Sequence, residues 1–325
     1  MKYNYIFYIL FLYIIIYVIS LMCMSHMNYK MYIWTLYNYK YFIWLYSKNF
    51  SATQNMYTFK IVICCILFPF FFPIIATFIP QYDLLLGFEG EMFILPISLH
   101  RDKHNITKKM QSKLFWYYIF KRNNILTPKV YYYFNSNNNK LNLINDISSQ
   151  KDDIFIIKPN YGTEGSNIIK ETKTKFKNML SYTKLDLILQ EYVKDCYNDS
   201  ARHFRINTLC NNDEVLIFSI DERKQLDKDK IASNHANGGI ITYCGEVNCY
   251  FLCKEEQHYI ITICNSLKEL HKKEFDIIPF IGWDVCLTCN GPYVFEGNLG
   301  ASMTITQDVY AKYVSIMSNI YSKYK

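Results

Sequence analysis

The sequence predicts an α/β (α+β) catalytic domain over residues 81–325, preceded by a hydrophobic, membrane-anchoring region over residues 1–80. Three observations carry that expectation. Two long stretches near the N-terminus hold no charged residue. From Gln81 onward, β-like runs alternate with helical ones. Hydrophobic residues make up 51% of the 325, enough to build a substantial core. With aromatics at 18% and charged residues at 19%, intrinsic disorder is excluded as the main state. Eleven glycines and eight prolines are too few for collagen-like or Gly/Pro-rich repeats.

Residues 5–22 are charge-free and long enough to span a bilayer. Residues 61–79 are charge-free too, but Pro69 and Pro73 interrupt them, so they read as a second span or a re-entrant segment. Met31 to Tyr46, aromatic and semi-polar, suits an interface. A signal peptide over residues 1–24 ranks second, because the later run would still hold the chain in the membrane. A start at Met56 is a third reading. Lys2, Lys30, Lys40, Lys48 and Lys60 are the only charges before Gln81. That leaves 30 basic residues against 28 acidic ones downstream. The net +7 therefore flanks membrane-like segments, and no basic stripe for nucleic acid is expected on the folded domain.

In the downstream part, Ile106 to Asn123 has helical apolar spacing and ends in basic residues, as a helix C-terminus favours. Thr127-Pro128 breaks it. Val130 to Phe134 reads as a strand, Asn135 to Asn139 as a loop, and Ile154 to Lys158 as a strand running into a glycine loop. Thr172 to Tyr182 is expected to be helical and Asp186 to Val193 a strand, followed by a polar loop, Lys194 to Ser200. Strands are expected over Phe204 to Cys210 and Val215 to Ile220, and a helix with i, i+4 charge pairs over Glu255 to Lys273. The last elements form a hairpin: Ile281 to Thr288, a turn at Cys289-Asn290-Gly291-Pro292, and Tyr293 to Glu296. The eleven cysteines are odd in number and scattered, so reduced, mostly buried thiols are expected. A zinc site joining Cys286 and Cys289 to Cys244, Cys249 or Cys253 is the lesser alternative.

Three segments carry chemistry. In the first, a strand delivers Lys158 to the loop Pro159-Asn160-Tyr161-Gly162-Thr163-Glu164-Gly165-Ser166. There glycines let backbone N–H groups approach phosphate oxygens and lysine adds a point charge. The spacing fits neither a Walker loop nor a Rossmann fingerprint. In the second, strand alternation puts Glu296 and Asn298 on one face, and the hairpin brings Asp284 across from them. Two carboxylates and an amide oxygen are hard ligands suited to Mg²⁺ shared with nucleotide phosphates. The flanking Ile281, Val285, Val294 and Phe295 imply a buried sheet, where carboxylates need a cation or a partner. In the third, Leu187 to Val193 is an apolar strand ending in polar residues, where a backbone edge can read a purine.

In this order and spacing the three segments resemble the ATP-grasp superfamily, over roughly Lys103 to Thr306. The resemblance implies two α+β lobes with the nucleotide between them. By it, Lys158 contacts the α/β-phosphates and Gly162, Thr163, Glu164, Gly165 and Ser166 form the mobile loop over them. Gln190, Glu191, Tyr192 and Val193 form the adenine hinge, and Asp284, Glu296 and Asn298 bind Mg²⁺ (one or two ions, with Mn²⁺ as a substitute). Lys113 is the second nucleotide lysine, with Lys103, Lys108 and Lys109 as competitors. The segments Arg202-His203-Phe204-Arg205, Asp221-Glu222-Arg223, Ser233 to Gly239 and Ile281 to Asp284 are similar to the sugar-transfer-associated ATP-grasp group. In that pattern Arg205 and Arg223 clamp phosphate during catalysis, and Asn234 to Gly239 form a turn near the acceptor. For each arginine a surface ion pair is an equal alternative. Several peptide-bond-forming relatives carry arginine two residues before the metal-strand aspartate. Here that position is Gly282, so another arginine must take its place.

The resemblance implies an ATP-dependent ligase that activates a carboxylate as an acylphosphate and joins it to an amine or thiol. Cell-surface polysaccharide or glycoconjugate metabolism is the expected setting. A kinase on a sugar or lipid-linked acceptor, and a membrane protein that binds nucleotide without turnover, are the alternatives. His203 and His271 read as structural or surface residues. A cytosolic catalytic domain is expected, because ATP is there. The lysines at 30, 40 and 48 favour one span with a re-entrant second run, which keeps both that loop and the domain cytosolic.

Overall fold

The computed structural model describes residues 11–19, 105–148, 154–161, 168–197, 201–211, 214–225, 227, 239–245, 249, 251–299, 301 and 316. Asp102–Thr304 form one compact unit and Met1–Arg101 with Ile305–Lys325 another. Residues 11–19 are helical, and among the described residues no helix is long and apolar enough to cross a membrane. The rest of the run 5–22, all of 61–79 and the expected 80/81 boundary lie outside the described residues.

The unit Asp102–Thr304 holds two five-stranded antiparallel sheets. In chain order its elements are α1 (Ile106–Lys109), α2 (Lys113–Arg122), β1 (Val130–Asn135), β2 (Lys140–Leu143), β3 (Ile154–Pro159), β4 (Ile169–Thr172), α3 (Lys173–Met179), β5 (Leu187–Glu191), β6 (Arg202–Asn211), β7 (Glu214–Lys224), β8 (Ile240–Gly245), α4 (Lys254–Glu274), β9 (Phe280–Thr288) and β10 (Gly291–Asn298). The smaller sheet runs β2-β1-β5-β3-β4 and the larger β10-β9-β6-β7-β8. The expected helix over Ile106 to Asn123 is split, because Ser112 takes an extended conformation and caps α2 by accepting from Phe115 N. The final turn is tighter than expected. Gly291 and Pro292 already belong to β10, and Gly291 has a φ of 108° that a side chain would resist.

α4 covers the larger sheet. Ile260, Ile263, Leu267 and Leu270 recur at helical spacing and join Phe204, Ile206, Ile220, Ile281 and Val285 in one core. α2 serves both sheets. Trp116, Ile119 and Phe120 belong to that core, whereas Tyr117 packs with Val130 and Ile188 of the smaller sheet, with Leu114 against them. His271 is fully buried, as a structural histidine. Its Nδ1 lies 2.7 Å from Thr208 Oγ1 and its Nε2 2.7 Å from Ile278 O, and burial pushes its pKa down to about 4.

The expectation of reduced cysteines is corrected at one point. Cys244, in β8 next to Gly245 with its φ of 137°, lies 4.4 Å from Cys249 at Cα and forms a disulfide with it. This removes two thiols from the alternative zinc site. Among the described residues no group of three or more His, Cys, Asp or Glu is placed to hold a metal.

Candidate active site

Lys158 stands near the end of β3, in register with Ile188 of β5, and is 6% exposed. Two residues on, Asn160 fixes a second lysine beside it. The buried Asn160 Oδ1 accepts from Leu114 N at 2.9 Å and from Ser112 Oγ at 3.1 Å, and Asn160 O accepts from Lys113 N at 2.9 Å. The asparagine thus satisfies amides in the first turn of α2, which have no partner inside the helix. It also sets Lys113 at the mouth of β3. Lys113 Nζ then lies 3.8 Å from Glu296 Oε2. Lys108 and Lys109 are exposed, and Lys103 lies outside the described residues.

The hairpin behaves as its alternation predicts. Glu296 is the direct cross-strand partner of Asp284, Asn298 is that of Gly282, and Asn298 Nδ2 donates to Asp284 Oδ2 at 3.0 Å. Arg205, across from Asp284 on β6, donates to both its oxygens, Nε at 2.7 Å and one terminal nitrogen at 3.2 Å. This fork geometry resolves Arg205 as a buried ion pair with the site rather than a surface one. Burial opposes ionisation of Asp284, but Arg205, His203 and Arg223 prevail and hold its pKa at about 2. Arg223, on β7, is buried as well. Burial and the charge of Arg205 push its pKa down to about 10, against the pull of Asp284 and Asp221.

The lysine joins the same electrostatic unit. Burial pushes the Lys158 ammonium down to about 8, with Glu296 and Asp284 pulling upward and Lys113 downward. Lys113, Lys158, Arg205 and Arg223 therefore converge on Asp284 and Glu296 from four elements. A buried cluster in which cations press against one another suits a polyanion.

His203, expected as a structural or surface residue, is partly buried beside the carboxylates. It lies two residues before Arg205, on the same face of β6, and its Nε2 is 3.6 Å from Asp284 Oδ1. Burial drives its pKa down to about 4 despite Asp284. The two-residue spacing in Arg202-His203-Phe204-Arg205 was the signal for it. Arg202, on the opposite face, bonds Asp195 at 2.7 Å and 3.1 Å, Glu256 at 2.6 Å and Glu222 at 3.3 Å.

The hinge segment is placed differently from the phosphate segment. Gln190 is buried and its Nε2 donates to Pro128 O at 3.2 Å. Glu191 N donates to Lys129 O at 2.8 Å, and its carboxylate accepts from Lys129 N at 3.0 Å. Both side chains are thus committed to residues 128 and 129. The Tyr192 ring carries the Lys170 ammonium 4.2 Å from its centre. Glu191 pairs with Phe155, three residues from Lys158. That is about 10 Å along the strand, at roughly 3.3 Å per residue. The expected loop Gly162 to Ser166 falls between the paired strands β3 and β4, outside the described residues, as do residues 233–238 of the expected acceptor turn.

Residues 110–299 match the family model of the ATP-grasp domain. The chain belongs to the ATP-grasp family. No curated protein sequence matches it. Solved structures that resemble it include the L-amino acid ligase from Bacillus licheniformis (12% identity, TM-score 0.40, covering 67% of this chain and 47% of that one). The D-alanine–D-alanine ligase from Bacillus anthracis complexed with ATP is another (16%, 0.40, 66% and 64%). A third is the N5-carboxyaminoimidazole ribonucleotide synthetase from Thermotoga maritima (12%, 0.40, 70% and 52%). The chain spans less than two thirds of the length of each.

ATP-grasp enzymes use ATP with Mg²⁺, and the residues present fit the metal. Asp284 and Glu296 are directly opposed carboxylates, which repel unless a cation lies between them. Arg205 takes one lone pair on each Asp284 oxygen and Asn298 Nδ2 takes the second on Oδ2, which leaves one on Oδ1 for a cation. Asn298 offers its amide oxygen, since its nitrogen already faces Asp284.

Proposed function

We propose that the chain is an ATP-dependent ligase that activates a substrate carboxylate as an acylphosphate and joins it to an amine or thiol. The observation that carries this reading is the convergence of Lys158, Lys113, Asp284 and Glu296, from β3, α2, β9 and β10, in one partly buried cluster. Lys158 would receive the α/β-phosphates, whose charge would add to the pull of Glu296 and Asp284 on an ammonium that burial disfavours. A substrate carboxylate oxygen attacks the γ-phosphorus, and the bond to the β-phosphate oxygen breaks, releasing ADP. Lys113, Lys158 and the guanidiniums of Arg205 and Arg223 neutralise the charge on the moving phosphoryl group. An amine or thiol then attacks the acyl carbon, and inorganic phosphate leaves. No side-chain nucleophile is required. Mg²⁺, held by Asp284, Glu296 and Asn298, would supply Lewis-acid neutralisation of the β/γ-phosphate oxygens.

A setting in cell-surface polysaccharide or glycoconjugate metabolism is the finer part of the proposal. It rests on the resemblance of the Arg202 to Arg205, Asp221 to Arg223 and Ile281 to Asp284 segments. These segments adjoin here, since Arg205 pairs with both Asp221 and Asp284. We also infer membrane anchoring through the charge-free N-terminal runs, with the catalytic domain facing the cytosol, where ATP is available.

The test is ADP release by the full chain with Mg²⁺, against a library of amino acids and sugars. Release should require both a carboxylate and an amine or thiol, with an acylated product. A phosphorylated acceptor instead would replace the ligase with a kinase. Asp284→Asn and Glu296→Gln should reduce turnover far more than ATP binding. A variant retaining full ADP release would remove that residue from the metal site.

A further inference from the structure

Asp284 is surrounded by protein donors on both oxygens. Arg205 Nε donates to Oδ1 at 2.7 Å and a terminal guanidinium nitrogen to Oδ2 at 3.2 Å, while Asn298 Nδ2 donates to Oδ2 at 3.0 Å. His203 Nε2 stands 3.6 Å from Oδ1, beside the one lone pair that is left. The opposed Glu296 has a cation of its own, since Lys113 Nζ lies 3.8 Å from its Oε2. Each of the two carboxylates therefore carries an internal counter-ion, and the tighter of the two is Arg205. That residue is the direct cross-strand partner of Asp284 on β9 and of Asp221 on β7. A guanidinium that leaves Asp284 thus still has a carboxylate on its neighbouring strand.

We propose that Arg205 is a positioning residue that guards Asp284, holding the carboxylate against free divalent cations and yielding it only when a nucleotide is present. The proposal rests on the reading of Asp284 as a Mg²⁺ ligand. Charge sets the condition. Lys113, Lys158, Arg205 and Arg223 outnumber Asp221, Asp284 and Glu296 in this cluster. A free divalent cation would add to that excess, and it would have to take Asp284 from a two-point, charge-assisted contact. A nucleotide polyphosphate reverses the balance, because its oxygens accept from the guanidinium and supply the negative charge that a cation needs. Until then the fork from Arg205 fixes the plane of the carboxylate, so that its orientation does not depend on a metal.

The experiment titrates the full chain with Mn²⁺ and follows water-proton relaxation, which rises when the ion sits on the protein. Wild type should take up Mn²⁺ weakly alone and strongly once ADP is added. Arg205→Met keeps an unbranched side chain and removes the fork. It should bind Mn²⁺ without nucleotide about tenfold tighter than wild type or more, the scale of one charge-assisted contact. Arg205→Lys keeps the charge but not the two-point contact. It should fall between the two, and it carries the test if the methionine variant does not fold. Adding Asp284→Asn to Arg205→Met should abolish the gain, and a gain that survives would overturn the proposal. Equal Mn²⁺ affinity in wild type and the Arg205 variants, with ADP still bringing the ion onto wild type, would overturn the guard and leave the metal site standing. No relaxation change in any arm would remove the metal reading, and the guard with it.

Discussion

Lys158 owes its state to its surroundings more than to its own chemistry. It is buried beside two carboxylates and a second lysine, and burial disfavours its ammonium against the pull of those carboxylates. Replacing it with alanine should therefore cost the nucleotide a charge-assisted contact worth about 1.5–3 kcal/mol, or roughly ten- to a hundredfold in affinity. Calorimetry with Mg·ATP on wild type and Lys158→Ala is the check, and equal affinities would remove the assignment. Lys158, Asp284 and Glu296 were legible in the sequence because each sits in a strand pattern that fixes its direction. Asn160, in the same loop, carries no signal of its role in the sequence. An asparagine after Lys-Pro reads as a turn residue, and its partners Ser112 and Leu114 lie 48 and 46 residues upstream. The approach of His203 to Asp284 was not legible for a related reason: its partner lies on another strand.

At the scale of the element, α2 decides whether Lys113 reaches the site, and Gly297 decides where α2 lies. A β-carbon at 297 would stand 2.7 Å and 2.8 Å from ring atoms of the buried Trp116, and 3.0 Å from Trp283. Gly297→Ala should lower stability by about 1–3 kcal/mol, the usual cost of overpacking. It should also weaken ATP binding by displacing Lys113 from Glu296. Chemical denaturation and nucleotide titration together would show this, and a variant with wild-type values in both would refute it. The motif Glu296-Gly297-Asn298 was legible for its two ligands, but not for the glycine between them, whose neighbour is a helix some 180 residues earlier. Strands β2, β4 and β8 escaped the sequence reading for another reason. All three are edge strands, and KLNL and IKET bury too little to show a pattern.

For the molecule as a whole, the two-lobed arrangement came from the family resemblance. The antiparallel order of both sheets depends on pairings between distant segments, which local periodicity does not encode. The proposed membrane topology rests on the charge-free runs alone and has a direct readout. Sequons stand at Asn49, Asn105 and Asn198, and glycans are added on the lumenal side. In a glycosylating host, Asn105 and Asn198 should stay unmodified, as judged by glycosidase-sensitive mobility. A glycan on either would overturn a cytosolic catalytic domain, and one on Asn49 alone would mean two spans rather than one.

The bare position at 282 also constrains how this sequence can drift. A β-carbon there would fall 2.2 Å from that of Ala301 and 3.0 Å from Arg205 Cδ, so the guanidinium on Asp284 arrives from β6 through space that β9 leaves empty. Asn207 Oδ1 would stand 2.8 Å away as well, so three neighbours hold the position bare and Ala301 is the tightest of them. Shrinking Arg205 alone would not make room for a side chain at 282, and descendants of this chain should keep Gly282 for as long as they keep Ala301 and Asn207 in place.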